Sequence, residues 1–379
     1  MRCTDTVYFD HAATSYPKPP EVVAALLRTL CEEGGNAGRS AHALSLRAAE
    51  RLLSARETVA ELFGLTDARS VVFTKNATEA INLAVAAYTA EGGHVLCDDM
   101  AHAALARPLY RLADEGRIRL SFYPHGAREE ALFPLFAPDT VLLCATHASN
   151  ICSHKADVAA LGRAAKARGV PFLVDASQSA GHLPVHMGKM GADVLCLPAH
   201  KGLFGVMGAG AALFAHPEAE YPPFLSGGGG VHSQARTMPR DLPEHFEAGT
   251  LPLPAIAAME AGVLWVKERG LSEIGGHISA LEERLREGLG NTAGVTLYGA
   301  ERTGHGILSF THERLSPEAL AARLDACGFA VRAGLHCAPL AHATLGTPEG
   351  GTVRLSLGAT NTAAECERFL CALGEILKE

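Results

Sequence analysis

Between about residue 70 and residue 215, short and nearly unbroken apolar runs alternate with longer stretches whose apolar residues recur every three or four positions. The runs SVVFT (70–74), HVLCD (94–98), RLSFYP (119–124), TVLLCAT (140–146), PFLVDA (171–176), DVLCLP (193–198) and GAALFA (210–215) predict seven strands. ATEAINLAVAAY (77–88), ALARPLYRLADEG (104–116) and KADVAALGRAAKARG (155–169) predict helices between them. Strands that are apolar on both faces and alternate with helices predict a mainly parallel, seven-stranded sheet covered on both sides, an α/β architecture. Residues 20–33 and 45–63 read as helices leading into this core. After GGGG (227–230) and a polar, proline-containing stretch (231–254), helical patterns return at 255–270 and 272–289. The remainder mixes VTLYG, GILSF and TVRLSLG, read as strands, with helices at 317–327 and 362–378. That shift predicts a large domain over 16–254 and a smaller α+β domain built from 1–15 and 255–379. No internal repeat or low-complexity segment interrupts the pattern.

Composition narrows the class of function. The 379 residues are 48% apolar, enough for a sizeable core, and the formal net charge is −8. A nucleic-acid binder would carry a basic patch or stripe, so that class is set aside. No apolar run reaches the length of a membrane span, and MRCTDTVYFDHAATSYP has no basic start followed by an apolar stretch, so no signal peptide or membrane partner is expected. Ten cysteines, from Cys3 to Cys371, lie scattered without metal-site or disulfide-framework spacing, and no metal is expected. Several, such as Cys144 and Cys196, sit inside apolar runs, where cysteine behaves as a small hydrophobe. This usage fits a reducing compartment, and a cytoplasmic protein is the expectation.

Four short segments could carry chemistry. In LVDASQSAG (173–181), Asp175 ends an apolar strand, where ligands of open α/β sheets gather. A carboxylate there needs a cationic partner such as a protonated pyridinium nitrogen, although a helix-capping role fits equally. In CLPAHKGLFGVMGAGAALF (196–214), His200 and Lys201 precede a glycine-rich turn. A desolvated lysine near another cation is a good imine-forming amine, and an ordinary solvated loop lysine is the bland alternative. In FTKNATEAINLAV (73–85), Asn76, Ala77, Thr78 and Glu79 open a helix after a strand, giving a cap that can also cradle a phosphate. In RAGLHCAP (332–339), Cys337 stands beside His336 and close to Arg332, neighbours that favour thiolate, though most of the ten cysteines must be structural.

In this order and spacing the four segments resemble the class V branch of the fold-type I pyridoxal phosphate (PLP) enzymes, from YFDHAATSYPKP to the C-terminal helix. Within it the chain is similar to the cysteine desulfurase and selenocysteine lyase group, in the type with a short catalytic loop and an R-x-G-x-H-C-A motif. The resemblance implies a PLP cofactor with Lys201 as the Schiff-base lysine, His200 as a phosphate contact, and Asp175 paired with the pyridine nitrogen. It implies Gln178 at the phenolic oxygen, His102 stacked on the ring and assisting proton transfer, Ala77 and Thr78 on the phosphate, and Asn150 near substrate and phenolic oxygen. Arg354, in TVRLSLG, would grip the carboxylate of a cysteine substrate, and Cys337 would take its sulfur as a persulfide, leaving alanine. Thr250, in FEAGT, matches a residue that reaches the phosphate of a partner subunit, which implies a homodimer. A sulfur-acceptor protein and a place in iron–sulfur cluster biogenesis follow from the same resemblance.

Three positions depart from the family's pattern. Pro198 stands where a small hydroxyl residue usually contacts the phosphate, Ala101 replaces an acidic residue before the histidine, and PLAHATLG replaces a QPLM-like continuation after the cysteine. Other reactions on the same scaffold stay open: selenocysteine lyase, another C–S lyase, or an aminotransferase, which needs no nucleophilic cysteine. A catalytically silent binding protein has no physical need for Lys201, Asp175 and His102 together. A dinucleotide-binding enzyme would need a G-x-G-x-x-G turn between a strand and its helix, and GGGG at 227–230 lies between domains instead.

Overall fold

The structure, a computed structural model, describes residues 6–38, 42–230, 234–299 and 304–378; Cys3 lies outside them. Its centre is a seven-stranded sheet in the order Val71–Thr74, Gly210–Phe214, Val194–Pro198, Phe172–Asp175, Thr140–Thr146, His94–Asp98, Arg119–Tyr123. All neighbours pair in parallel except Gly210–Phe214, which runs antiparallel to both of its partners. Each expected strand is present, trimmed by at most one residue at either end.

The unbroken apolar runs have a simple cause. Along the central strands, alternate side chains enter two separate cores: Phe73, Leu96, Leu143, Phe172, Val174 and Leu195 on one face, Val72, Val95, Leu142, Leu173 and Val194 on the other. A strand buried on both faces has no polar side to show. Helix limits follow from caps. The stretch expected at 155–169 is helical only over Val158–Arg168, because Asp157 accepts the Ala160 N–H (3.1 Å) and Gly169 ends the helix in a left-handed conformation. Lys155 instead forms a bridge to Ala148.

A third core belongs to a four-stranded sheet, ordered Arg332–Gly334, Thr352–Ser356, Ile307–His312, Val295–Tyr298, antiparallel throughout. Val7 and Phe9 pack there with Leu308, Phe310, Leu355 and Phe369, and Val7–Tyr8 pairs with Phe329–Ala330. The helix Leu253–Arg269 serves two cores, placing Ile256, Met259 and Val263 in the first and Ala258, Trp265 and Val266 in the third. Among the described residues no helix is long and apolar enough to cross a membrane.

Candidate active site

The C-terminal ends of the parallel strands meet the N-terminus of the helix Ala77–Thr89 around one cavity, lined among others by Ala77, Thr78, His102, Asn150, Asp175, Gln178, His200 and Lys201. Eight of the expected site residues are thus brought together from five separate segments. Asn76 caps the helix, its Oδ1 accepting from Glu79 N at 2.9 Å, while Glu79 accepts from Lys75 N at 2.6 Å. That is the capping arrangement of the bland reading, yet Asn76, Ala77 and Thr78 also line the cavity, so cap and anion cradle coincide. Gly210 makes the approach possible: a Cβ there would lie 2.7 Å from the Asn76 carbonyl carbon.

Asp175 ends its strand and is buried, with Oδ1 accepting from Ser177 N at 2.9 Å. No helix follows over 176–181, so the capping alternative does not apply. Lys201 sits in the turn after Val194–Pro198, closed by Phe204 N donating to the Lys201 carbonyl at 2.8 Å. Burial lowers the Lys201 ammonium pKa to about 8; Asp175 opposes the shift, and Arg354 and Arg332 add to it. Gly202 next to it packs so tightly on the preceding turn that a Cβ would lie 2.2 Å from the Ala180 carbonyl oxygen. Its role is thus close backbone packing beneath the lysine rather than room for a ring above it.

His102 caps the helix Ala103–Asp114, its Nδ1 accepting from Ala104 N at 3.1 Å. A backbone N–H can only donate, so the neutral ring carries its proton on Nε2. Burial, reinforced by Lys201, pushes the His102 pKa down to about 4. His200 is pushed down to about 4 by burial and by Lys201 and Lys18. Its carbonyl gathers Ser15 N, Thr14 Oγ1, Ser15 Oγ and Lys18 Nζ within 2.9–3.1 Å.

The four-stranded sheet and the loop after its strand Arg332–Gly334 supply two further groups. Arg354, wholly buried in the strand Thr352–Ser356, donates through Nη1 to the Asn150 carbonyl at 3.1 Å and through Nη2 to Asp10 Oδ1 at 2.5 Å. Asn150 in turn donates through Nδ2 to the His336 carbonyl at 2.8 Å. Cys337 is exposed, its carbonyl accepts from Ala103 N at 2.8 Å, and Arg332 Nη2 lies 3.7 Å from its Sγ. His336 and Cys337 both adopt positive φ, +51° and +56°, a conformation uncommon for residues bearing a Cβ. Thr250 is not among these groups: it is exposed and lines a different hollow, with Asn36, Arg56, Glu247 and Gly249. Asp10, which turns out to hold Arg354, was not singled out in the sequence; the only signal was an Asp-His pair directly after an apolar start.

The donor set suits an anionic aldehyde cofactor. His200 Nδ1 and Asn150 Oδ1 are buried, line the cavity and have no protein partner among the described residues. The N-terminus of the helix Ala77–Thr89 opens on the cavity, and a lysine of lowered pKa stands near a buried carboxylate.

The mostly parallel seven-stranded sheet, the smaller α+β layer and a lysine at the strand ends define the fold-type I class. The profile described as "Aminotransferase class-V" matches residues 7–369, and the chain belongs to that family. It is similar to a "Probable cysteine desulfurase" of Methanothermobacter thermautotrophicus, 35% identical over 99% of this chain and 94% of that protein. One of the same description from Aeropyrum pernix is 33% identical over 98% of this chain and 94% of that protein. Among solved structures, the apo cysteine desulfurase of Thermococcus onnurineus superposes with a TM-score of 0.89 at 31% identity, covering 99% of this chain and 95% of that one. The cysteine desulfurase CsdA of Escherichia coli, in an S-sulfonic acid form, gives 0.89 at 26% identity with the same coverage.

Proposed function

We propose that the chain is a PLP-dependent cysteine desulfurase that converts L-cysteine to L-alanine and takes the sulfur onto Cys337 as a persulfide. The observation that carries this reading is the setting of Cys337: an exposed thiol 3.7 Å from the Arg332 guanidinium, on backbone bonded to Ala103 directly beside His102. An aminotransferase has no use for such a thiol, and the relatives and solved neighbours above bear the same description.

PLP bound at Lys201 supplies an electron sink for the bond-breaking at the substrate Cα. Asp175 would keep the cofactor's ring nitrogen protonated, Gln178, whose Nε2 donates to the Ala12 carbonyl at 3.0 Å, would serve the phenolic oxygen, and Ala77, Thr78 and His200 would hold the phosphate. Arg354 orients the substrate carboxylate, with Asn150 beside it. The Lys201 amine, neutral in a useful fraction near pH 7, takes the Cα proton and later returns it at carbon. His102, its proton held on Nε2, would cover the cofactor ring and assist that transfer. The Cys337 thiolate attacks the substrate sulfur, so that an S–S bond forms as the C–S bond breaks, and the carbon skeleton leaves as alanine.

The proposal includes a homodimer, supported by the exposed apolar residues Val23, Leu27 and Leu30 of one helix and Leu46 and Leu53 of the next, in which the exposed Thr250 would reach the partner's phosphate. The persulfide would pass to an acceptor protein in the cytoplasm, in service of iron–sulfur cluster assembly. Incubation of the PLP-loaded protein with cysteine should release alanine in step with persulfide at Cys337, and Cys337→Ala should abolish both. Full alanine production by Cys337→Ala would remove Cys337 from the reaction; a requirement for a keto acid would turn the reading to an aminotransferase. Faster turnover of selenocysteine, independent of Cys337, would turn it to a lyase.

A further inference from the structure

The loop that presents Cys337 ends in a file of side-chain hydrogen bonds that none of the family's site residues explains. His336 Nε2 lies 3.3 Å from the Arg332 carbonyl oxygen, His336 Nδ1 lies 3.3 Å from His342 Nε2, and His342 Nδ1 lies 2.7 Å from Thr347 Oγ1. The two rings stack at 5.5 Å with 19° between their planes, and each residue is 3% exposed.

The proton positions follow from the ends of the file. A carbonyl only accepts, so neutral His336 carries its proton on Nε2 and accepts at Nδ1. His342 must then donate from Nε2, which leaves its Nδ1 to accept from the Thr347 hydroxyl. With both imidazoles neutral this arrangement connects the file from Thr347 to Arg332, although the Thr347 hydroxyl also lies 3.3 Å from the His342 carbonyl oxygen, a second acceptor for the same proton. Both pKa values are pushed down, chiefly by burial, that of His336 to about 3 with Arg354 and Arg332 contributing. The file is therefore intact at neutral pH.

What it holds is strained. His336 and Cys337 both stand in the left-handed region, which persists in residues with a Cβ only where the surroundings over-determine it. The two carbonyls are already fixed, by Asn150 Nδ2 and by Ala103 N, and the file fixes the ring between them. His342 lies in PLAHATLG, the segment whose sequence departs from the continuation expected after the cysteine, and Thr347 directly follows it.

We propose that His342, backed by Thr347, is a positioning residue for Cys337: it locks the His336 ring and with it the turn that sets the thiol beside Arg332. The proposal rests on the reading of Cys337 as sulfur acceptor. Three variants of the PLP-loaded enzyme test it: His342→Phe removes the donor at similar ring volume, His342→Gln restores an amide donor, and Thr347→Val removes the hydroxyl from the half-buried end. Alanine formation, KM for cysteine and alkylation of Cys337 by iodoacetamide at pH 7 are measured on each. Loss of a buried hydrogen bond predicts that His342→Phe makes alanine about tenfold more slowly with KM changed by less than about twofold. Alkylation of Cys337 should slow by about fivefold as the thiol leaves the guanidinium. Thr347→Val should move both rates in the same direction, and His342→Gln should recover most of them. Parent-like turnover and alkylation in Thr347→Val and in any folded His342→Phe would overturn the proposal, as would a Gln variant no better than Phe. Should Cys337→Ala retain alanine production, the acceptor reading fails by itself, and the alkylation rates still decide on His342.

Discussion

Arg354 and Asp10 are 344 positions apart in the chain and form an ion pair, Nη2 to Oδ1 at 2.5 Å, with the guanidinium buried and the carboxylate half-buried, beside Asn150. The guanidinium is nearly inaccessible, and its Nε finds no partner among the described residues. Asp10 thus neutralises Arg354, and on the proposed reading the remaining N–H groups would meet the substrate carboxylate. Arg354→Lys keeps the charge and loses the planar fork, so KM for cysteine should rise by about ten- to a hundredfold, with kcat less affected, in steady-state assays. An unchanged KM would remove Arg354 from carboxylate binding.

Asp10→Asn tests the other half of the pair. It leaves a buried guanidinium without its counter-charge, which costs about 3 kcal/mol when one partner of such a pair is removed. The expected result is a lower unfolding midpoint in urea at pH 7 with an unchanged m-value. The double variant Asp10→Asn, Arg354→Met should recover much of that loss, since the two changes act on one interaction.

Lys201 sets a pH dependence for cofactor capture. Its pKa is lowered to about 8 by burial, so in the PLP-free chain the reactive amine should appear as pH rises through about 8, well below the ordinary lysine value of 10.5. The rate of PLP uptake, followed by absorbance, should climb about tenfold per unit below pH 8 and level off above it. A rate still climbing at pH 10 would mean that the site does not desolvate the amine.

The strand ends that carry Asp175, Asn150 and Lys201 were legible because burial on both faces leaves a nearly unbroken apolar run that stops where the site begins. Asn76 and Glu79 were legible as a cap because capping is local. The pair Asp10–Arg354, the bond from Asn150 to the His336 carbonyl, and the file from Thr347 to Arg332 were not. The first two join residues 344 and 186 positions apart, and no local periodicity encodes such a contact. The third runs from a strand through a loop to His342 in a six-residue helix, Pro339–Thr344, too short to show a pattern, and ends beyond it at Thr347. Val7–Tyr8 and Phe329–Ala330, two residues each, likewise fall below what alternation can reveal.

Three wholly buried histidines predict acid lability. Burial pushes His11 down to about 4 and His147 and His336 to about 3, while the unfolded chain protonates them near 6.5. A histidine whose folded pKa is depressed favours the folded state above the unfolded pKa, and that advantage is lost as pH falls from about 6.5 toward 4. Each contributes up to about 1.4 kcal/mol per pH unit in that window. Urea midpoints at pH 7, 6 and 5 should therefore fall with increasing steepness, and His147→Gln should flatten the slope. A midpoint independent of pH over this range would contradict the neutral burial of these rings.

Pro198 offers the last test, because it occupies the cavity wall where the family usually places a hydroxyl. It closes the strand Val194–Pro198, opposite Gly210, and having neither a side-chain donor nor an N–H it offers a bound phosphate nothing. On the proposed reading the cradle would then depend on the first turn of the helix Ala77–Thr89, with Thr78 and His200. Pro198→Ser would add one hydroxyl donor to a charged acceptor, an interaction worth about 1.5 kcal/mol, so the dissociation constant for PLP should drop by roughly tenfold. Thr78→Val should raise it by a similar factor, and the two changes together should nearly cancel. Equilibrium titration of the PLP-free variants measures all three, and tighter binding in Pro198→Ser with no effect of Thr78→Val would place the phosphate away from the helix N-terminus.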